Sequence, residues 1–208
     1  IAPIAEKLEL KKYGGYILSY NGGEITNWQT GELMYENVLD ADVLPYLYQC
    51  AKENNFAIVT YKDKYVLTEH PDDEYVLKEA ILNVMETQKV DNFLEAIDFP
   101  VAKCLIVGEA TRLAVLEKEM YEVLKDRMGV YRSEPYFLEL VPKGIDKAQS
   151  LAVLLEKIGA TKEEMIAVGD GFNDLSMIKF AGLGVAMANA QEVVRQSADY
   201  ITLSNEED

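Results

Sequence analysis

Apolar and polar positions follow two different rhythms along the 208-residue chain, and the switch between them sets the expected architecture. Ile1, Ile4, Ala5 and Leu8 recur at helical spacing, which predicts a helix over 1–12. "GGYILSYNGG" predicts a strand at 15–20, and the alternating runs of "EITNWQTGELMYENVL" predict a hairpin. Asp40 to Asn54 reads as an Asp-capped helix with Val43, Leu44, Leu47 and Ala51 on its apolar face. "FAIVTYKDKYVLTE" predicts a second hairpin turning at Lys62–Asp63, followed by a helix over 73–84. "VAKCLIVGEA" is a buried-type strand, Thr111 to Met128 an amphipathic helix, and "VYRSEPYFLELVP" two strands around Glu134–Pro135. Hairpins mixed with helices over 22–140 imply an α+β unit on an antiparallel sheet.

From Lys143 the rhythm changes. Asp146 caps a predicted helix that runs to Ile158, with Gln149 at the third helical position and Gly159 as terminator. Thr161 with Glu164 forms a second capping pattern ahead of the strand "MIAVG". A short helix over 173–181, the strand "GLGVAMA", a helix capped by Asn189 with Glu192, and the strand "DYITL" follow. Helix and strand alternate with short connections, which is the pattern of a parallel sheet with right-handed crossovers.

Composition narrows the function. A net charge of −16 argues against nucleic acid or an anionic membrane as a partner, but leaves room for a small anion beside a metal ion and a lysine. Cys50 and Cys104 form no metal-binding spacing and read as two buried, reduced thiols, with a single disulfide as the alternative. His70 is the one histidine, in a loop, so neither a histidine-based triad nor a multi-histidine metal site is expected. No apolar run reaches transmembrane length and the start carries no signal-peptide pattern. A cytoplasmic chain with no obligate protein partner is expected.

The chemistry gathers in "VGDGFND". In an open parallel sheet, ligands sit beyond the C-terminal ends of strands, where Asp170 falls. Gly169 and Gly171 permit a sharp turn, and Asn173 and Asp174 open the next helix. Carboxylates and an amide on such a loop suit a hard cation such as Mg²⁺ shared with a phosphate. Ordinary turn and helix-start duty is the competing explanation. An EF-hand starting at Asp170 fails, because its sixth and twelfth positions are Leu175 and Ala181. "GLGVAM" lacks the third glycine of a dinucleotide fingerprint, and no Walker A sequence occurs. Lys147 stands in the first turn of its helix, against the dipole. It is either a solvated surface lysine or a cation that neutralises a phosphate. Lys143 is a weaker candidate, and Asn21 in "SYNGG" is a strand-end polar residue or a turn residue.

The stretch from "LVPKGIDKAQS" to "SADYITLSNEED" closely resembles the third and fourth motifs of haloacid dehalogenase-like hydrolases of the Cof-type phosphatase branch. "GGYILSYNGGEI" resembles the segment after that family's second motif. The resemblance implies a Rossmann-like parallel-sheet α/β core at 1–21 and 141–208, with a large α+β cap inserted at 22–140. It implies a Mg²⁺-dependent phosphatase of small phosphorylated metabolites that works through an aspartyl-phosphate. Lys147 would be the phosphate-stabilising lysine and Asp170 a Mg²⁺ ligand. Asn173 and Asp174 would orient the site, and Asn21 would approach the substrate. Trp28, Tyr61, Tyr65, Arg132 and Tyr136 are the cap side chains weighed for substrate contact, with structural duty within the cap the favoured reading of each. The family's D-x-D-G-T motif, which carries the nucleophile, does not occur in the sequence. The opening segment and closing helix of a typical member are therefore expected to lie outside these 208 residues, leaving them inactive alone with weak Mg²⁺ affinity. A non-catalytic small-molecule module and a phosphomutase-type transferase are the alternatives.

Overall fold

A computed structural model describes residues 2–207, and the chain folds into two compact units, 1–36 with 145–208 and 37–144. Ile1, at the head of the expected first helix, lies outside the described residues. That helix is two: α1 (Ala2–Lys7) and α2 (Leu10–Tyr13), separated at Glu9, whose φ of 51° is left-handed. β1 (Tyr16–Ser19) follows and pairs antiparallel with β2 (Glu24–Asn27), which pairs with β3 (Leu33–Glu36). These pairings carry the first unit to Glu36, past the expected boundary at 21, because the hairpin completes a sheet begun by β1. A 3-10 turn at Tyr20–Gly22 joins β1 to β2.

The second unit opens with α3 (Leu44–Glu53). Asp40 makes no capping bond there; a 3-10 turn at Ala41–Val43 intervenes. β4 (Ala57–Lys62) and β5 (Tyr65–Thr68) form the expected hairpin, with Asp63 left-handed in its turn. α4 (Glu74–Asn83) is capped by Asp73, whose carboxylate accepts from the N–H groups of Tyr75 and Val76. The polar strand β6 (Glu86–Lys89) pairs parallel to β5. β7 (Cys104–Val107), α5 (Ala110–Leu124), β8 (Met128–Glu134) and β9 (Phe137–Pro142) complete the unit. The six strands lie in the order β6-β5-β4-β7-β9-β8, mostly antiparallel. Leu47 of α3 and Leu113, Leu116 and Met120 of α5 pack on Ile58, Ile106, Leu138 and Leu140 of the sheet, making one closed hydrophobic cluster.

The chain then returns to the first unit with α6 (Lys147–Ile158). Asp146 caps it through Ala148 and Gln149 N–H, and Gly159 ends it with φ 72°, both as the sequence predicts. β10 (Ile166–Gly169), α7 (Leu175–Phe180), β11 (Leu183–Ala186), α8 (Glu192–Arg195) and β12 (Tyr200–Ile201) follow. β10, β11 and β12 are parallel neighbours, so the α/β class holds, with an α+β unit inserted between the two segments of the first. Among the described residues no helix is long and apolar enough to cross a membrane.

Candidate active site

β10 ends at Gly169, in register with Ala186 of β11, and Asp170 follows at the C-terminal edge of the parallel sheet. The loop must then fold back tightly. A Cβ on Gly169 would stand 2.5 Å from the Cβ of Asp174, so only glycine admits this return. The return brings Asp174, 8% exposed, beneath its own loop. Its Oδ2 accepts the N–H groups of Asp170 at 3.1 Å and Gly171 at 3.0 Å, and its Oδ1 accepts a hydrogen bond from Lys147 Nζ. One carboxylate therefore fixes both the loop backbone and the lysine.

Lys147 is the first residue of α6 and keeps 20% of its side-chain surface. Asp174 neutralises it in a setting with little water. Burial pushes the Asp174 carboxyl up. The Lys147 ammonium, then the Gly171 and Asp170 N–H groups, outweigh that and hold it below its ordinary 3.8.

The remaining predicted residues join this edge. Asn173 Nδ2 donates to Asn21 Oδ1 at 3.4 Å, linking the fourth-motif loop to the β1–β2 turn. Asn21 is left-handed, with φ 55° and ψ 26°, a conformation its short amide tolerates better than most side chains. Ser150 Oγ donates to Gly22 O at 2.5 Å, tying the same turn to α6. Asp170 is exposed, and its Oδ2 accepts from Asn189 Nδ2 at 3.2 Å. Asn189 is the residue the sequence misassigns. Gln191, not Asn189, occupies the cap position of α8.

Other candidates lie elsewhere. Lys143 Nζ donates to Asp126 O in the second unit. Trp28 belongs to the first unit, not to the insert, and its indole Nε1 is buried without a hydrogen-bond partner. Within the insert, Tyr61 is buried with its hydroxyl donating to Glu79 at 2.5 Å, and Arg132 pairs with Glu117 at 2.7 Å. Tyr136 stacks on Tyr75 beneath Lys78, and Tyr65 lies under Lys64.

A family model for haloacid dehalogenase-like hydrolases matches residues 1–208. The chain belongs to this family. A crystal structure of a haloacid dehalogenase-like hydrolase from Bacteroides thetaiotaomicron is similar to this hydrolase over the whole chain and 78% of its own. The identity is 59% and the TM-score 0.97. The Bacillus subtilis 5-amino-6-(5-phospho-D-ribitylamino)uracil phosphatase YitU is 28% identical over 195 residues, which are 92% of this chain and 72% of that protein. The YcsE protein of the same organism, which carries the same enzyme name, is 46% identical over 95 residues, or 45% of this chain and 38% of its own. This hydrolase thus stands among enzymes named as phosphatases, in agreement with the Cof-type resemblance.

Proposed function

We propose that this hydrolase is a Mg²⁺-dependent phosphomonoesterase of small phosphorylated metabolites. The observation that carries the reading is the Lys147–Asp174 pair, anchored to the Asp170–Gly171 backbone at the end of a parallel strand. Lys147 is a fixed cation at the sheet edge where an anionic ligand binds, and it stabilises negative charge on a phosphoryl group. Asp174 positions that lysine and the loop bearing Asp170. Asn173 and Asn21 offer amide donors beside them.

Asp170 fits one carboxylate ligand of Mg²⁺. It is a hard oxygen donor at an exposed strand end, and only one of its oxygens takes part in a hydrogen bond within the described residues. Among the described residues no group of three His, Cys, Asp or Glu side chains converges on a cation, so Asp170 supplies a part of the ligand set. When bound, Mg²⁺ would neutralise charge on the phosphate. Residues 37–144 take the place in the chain of the family's cap, and a phosphorylated ribityl compound is the substrate class that the named relatives support. Two unpaired cysteines suit a reducing cytoplasm.

The test is phosphate release by the complete gene product over a panel of phosphorylated metabolites, with and without Mg²⁺. The expected result is Mg²⁺-dependent release of inorganic phosphate that Lys147→Ala and Asp170→Ala each reduce at least about a hundredfold. Unchanged turnover in both variants, or activity in the presence of chelator, refutes the reading.

A further inference from the structure

Asn189 is bonded at both ends of its amide. Nδ2 donates to Asp170 Oδ2 at 3.2 Å, and Oδ1 accepts the backbone N–H of Asn205 at 3.1 Å. The two partners fix the orientation of the amide. A backbone N–H can only donate and a carboxylate can only accept, so a flipped amide would lose both bonds.

The backbone carrying Asn189 is itself held on several sides. Met187 N–H donates to Gly169 O at 3.0 Å, and Gln191 N–H donates to Asp170 O at 3.3 Å. Ala188 N–H donates to Leu203 O at 3.3 Å, while Ala188 O accepts from Arg195 Nη1 at 2.9 Å. Asn205 sits in a turn closed by Glu207 N–H on Ser204 O at 3.0 Å and by the Glu207 carboxylate on Ser204 N–H at 3.0 Å. The side chain is thus a strut between two fixed backbones and one exposed carboxylate.

We infer that Asn189 is a positioning residue for Asp170, holding one carboxylate oxygen so that the other is presented to the cation. This inference rests on the proposed role of Asp170. An exposed Asp otherwise rotates freely about its side-chain bonds, and each conformer lost on binding a cation weakens affinity. A neutral amide suits the task. It donates to the carboxylate without bringing a positive charge that would compete with the cation. Partners of this kind behind a metal ligand commonly change metal affinity tenfold or more when removed.

The test uses the complete gene product and two readouts, the Mg²⁺ concentration for half-maximal activity and the Mg²⁺-induced rise in Tm. Asn189→Ala is expected to raise the half-saturating Mg²⁺ about tenfold, shrink the Mg²⁺-induced Tm rise, and leave kcat at saturating Mg²⁺ within about threefold. Asn189→Ser, too short to span both partners, is expected to match the alanine variant. A fall in kcat with unchanged Mg²⁺ dependence, or a lower metal-free Tm with an undiminished Mg²⁺-induced rise, overturns the inference in favour of a structural role. Asp170→Ala is measured in parallel. If it abolishes the Mg²⁺ response while Asn189→Ala does not alter it, this inference alone fails. If Asp170→Ala leaves the response intact, the proposed function fails first.

Discussion

In the insert, β9 is buried at every position from Phe137 to Pro142. In the parallel sheet of the other unit, β10 exposes Ile166 and Val168 at 64% and 51% around a buried Ala167. The insert closes a large hydrophobic cluster between its sheet and helices α3 and α5. A small cluster of the other unit contains Ile178, Ala186, Ala190 and Val194. The proposed site lies in the unit with this smaller cluster. Lys147, Asp170, Asp174, Asn21, Asn173 and Asn189 are held by hydrogen bonds and ion pairs between loops and helix starts. Within these 208 residues the two units are therefore held together differently, and substitutions of similar size should separate them.

The largest contrast is expected from Leu138→Ala. Leu138 is fully buried in the insert's cluster, and its truncation should lower unfolding free energy by about 3–4 kcal/mol in denaturant titration. Val168→Ala, on a β10 face that is exposed in these 208 residues, should change the unfolding free energy of the same 208-residue chain by no more than about 0.5 kcal/mol. Equal losses in the two would break the comparison. Next in size, Asp174→Ala strands two backbone N–H groups and the Lys147 ammonium together, and should cost about 2 kcal/mol along with most of the turnover.

The acid limb sharpens the same point. The Asp174 carboxyl sits below its unfolded value of 3.8, so the stability it contributes is complete above that value and lost as pH falls through the lower folded value. Asp174→Asn should therefore flatten the denaturant-midpoint difference between about pH 6 and about pH 3 relative to the parent chain. The smallest effect is a gain. Val84 ends α4 at φ 54°, a left-handed conformation costly for a β-branched residue, and the residue is 82% exposed. Val84→Gly should raise thermal stability by roughly 1 kcal/mol, and a loss would mean that the exposed side chain contributes packing.

The sequence is most legible where one local signal decides the outcome. Asp146 and Gly159 bound α6, and the apolar alternation of "FAIVTYKDKYVLTE" marks β4 and β5, because capping chemistry and side-chain period act within a few residues. It is least legible where a distant partner decides. β6 reads "ETQK" and carries no apolar alternation; its pairing with β5 makes it a strand. Asn189 has the type and spacing of a helix cap, yet its amide goes to Asp170 and Asn205. Asp174 is legible as a candidate site residue, but its two-sided grip on Lys147 and the 170–171 backbone appears only once Gly169 lets the loop fold back.

The division of the first unit into two segments has a kinetic consequence. The insert, 37–144, is continuous and can close its cluster as soon as it leaves the ribosome, whereas Asn21 must wait for Asn173, 152 residues later. At about 5–20 residues per second, that wait is on the order of ten seconds. During synthesis the β1–β2 turn is therefore one half of the proposed site, and a chaperone or a slow codon between the two segments would act on the assembly of the first unit and not on the insert.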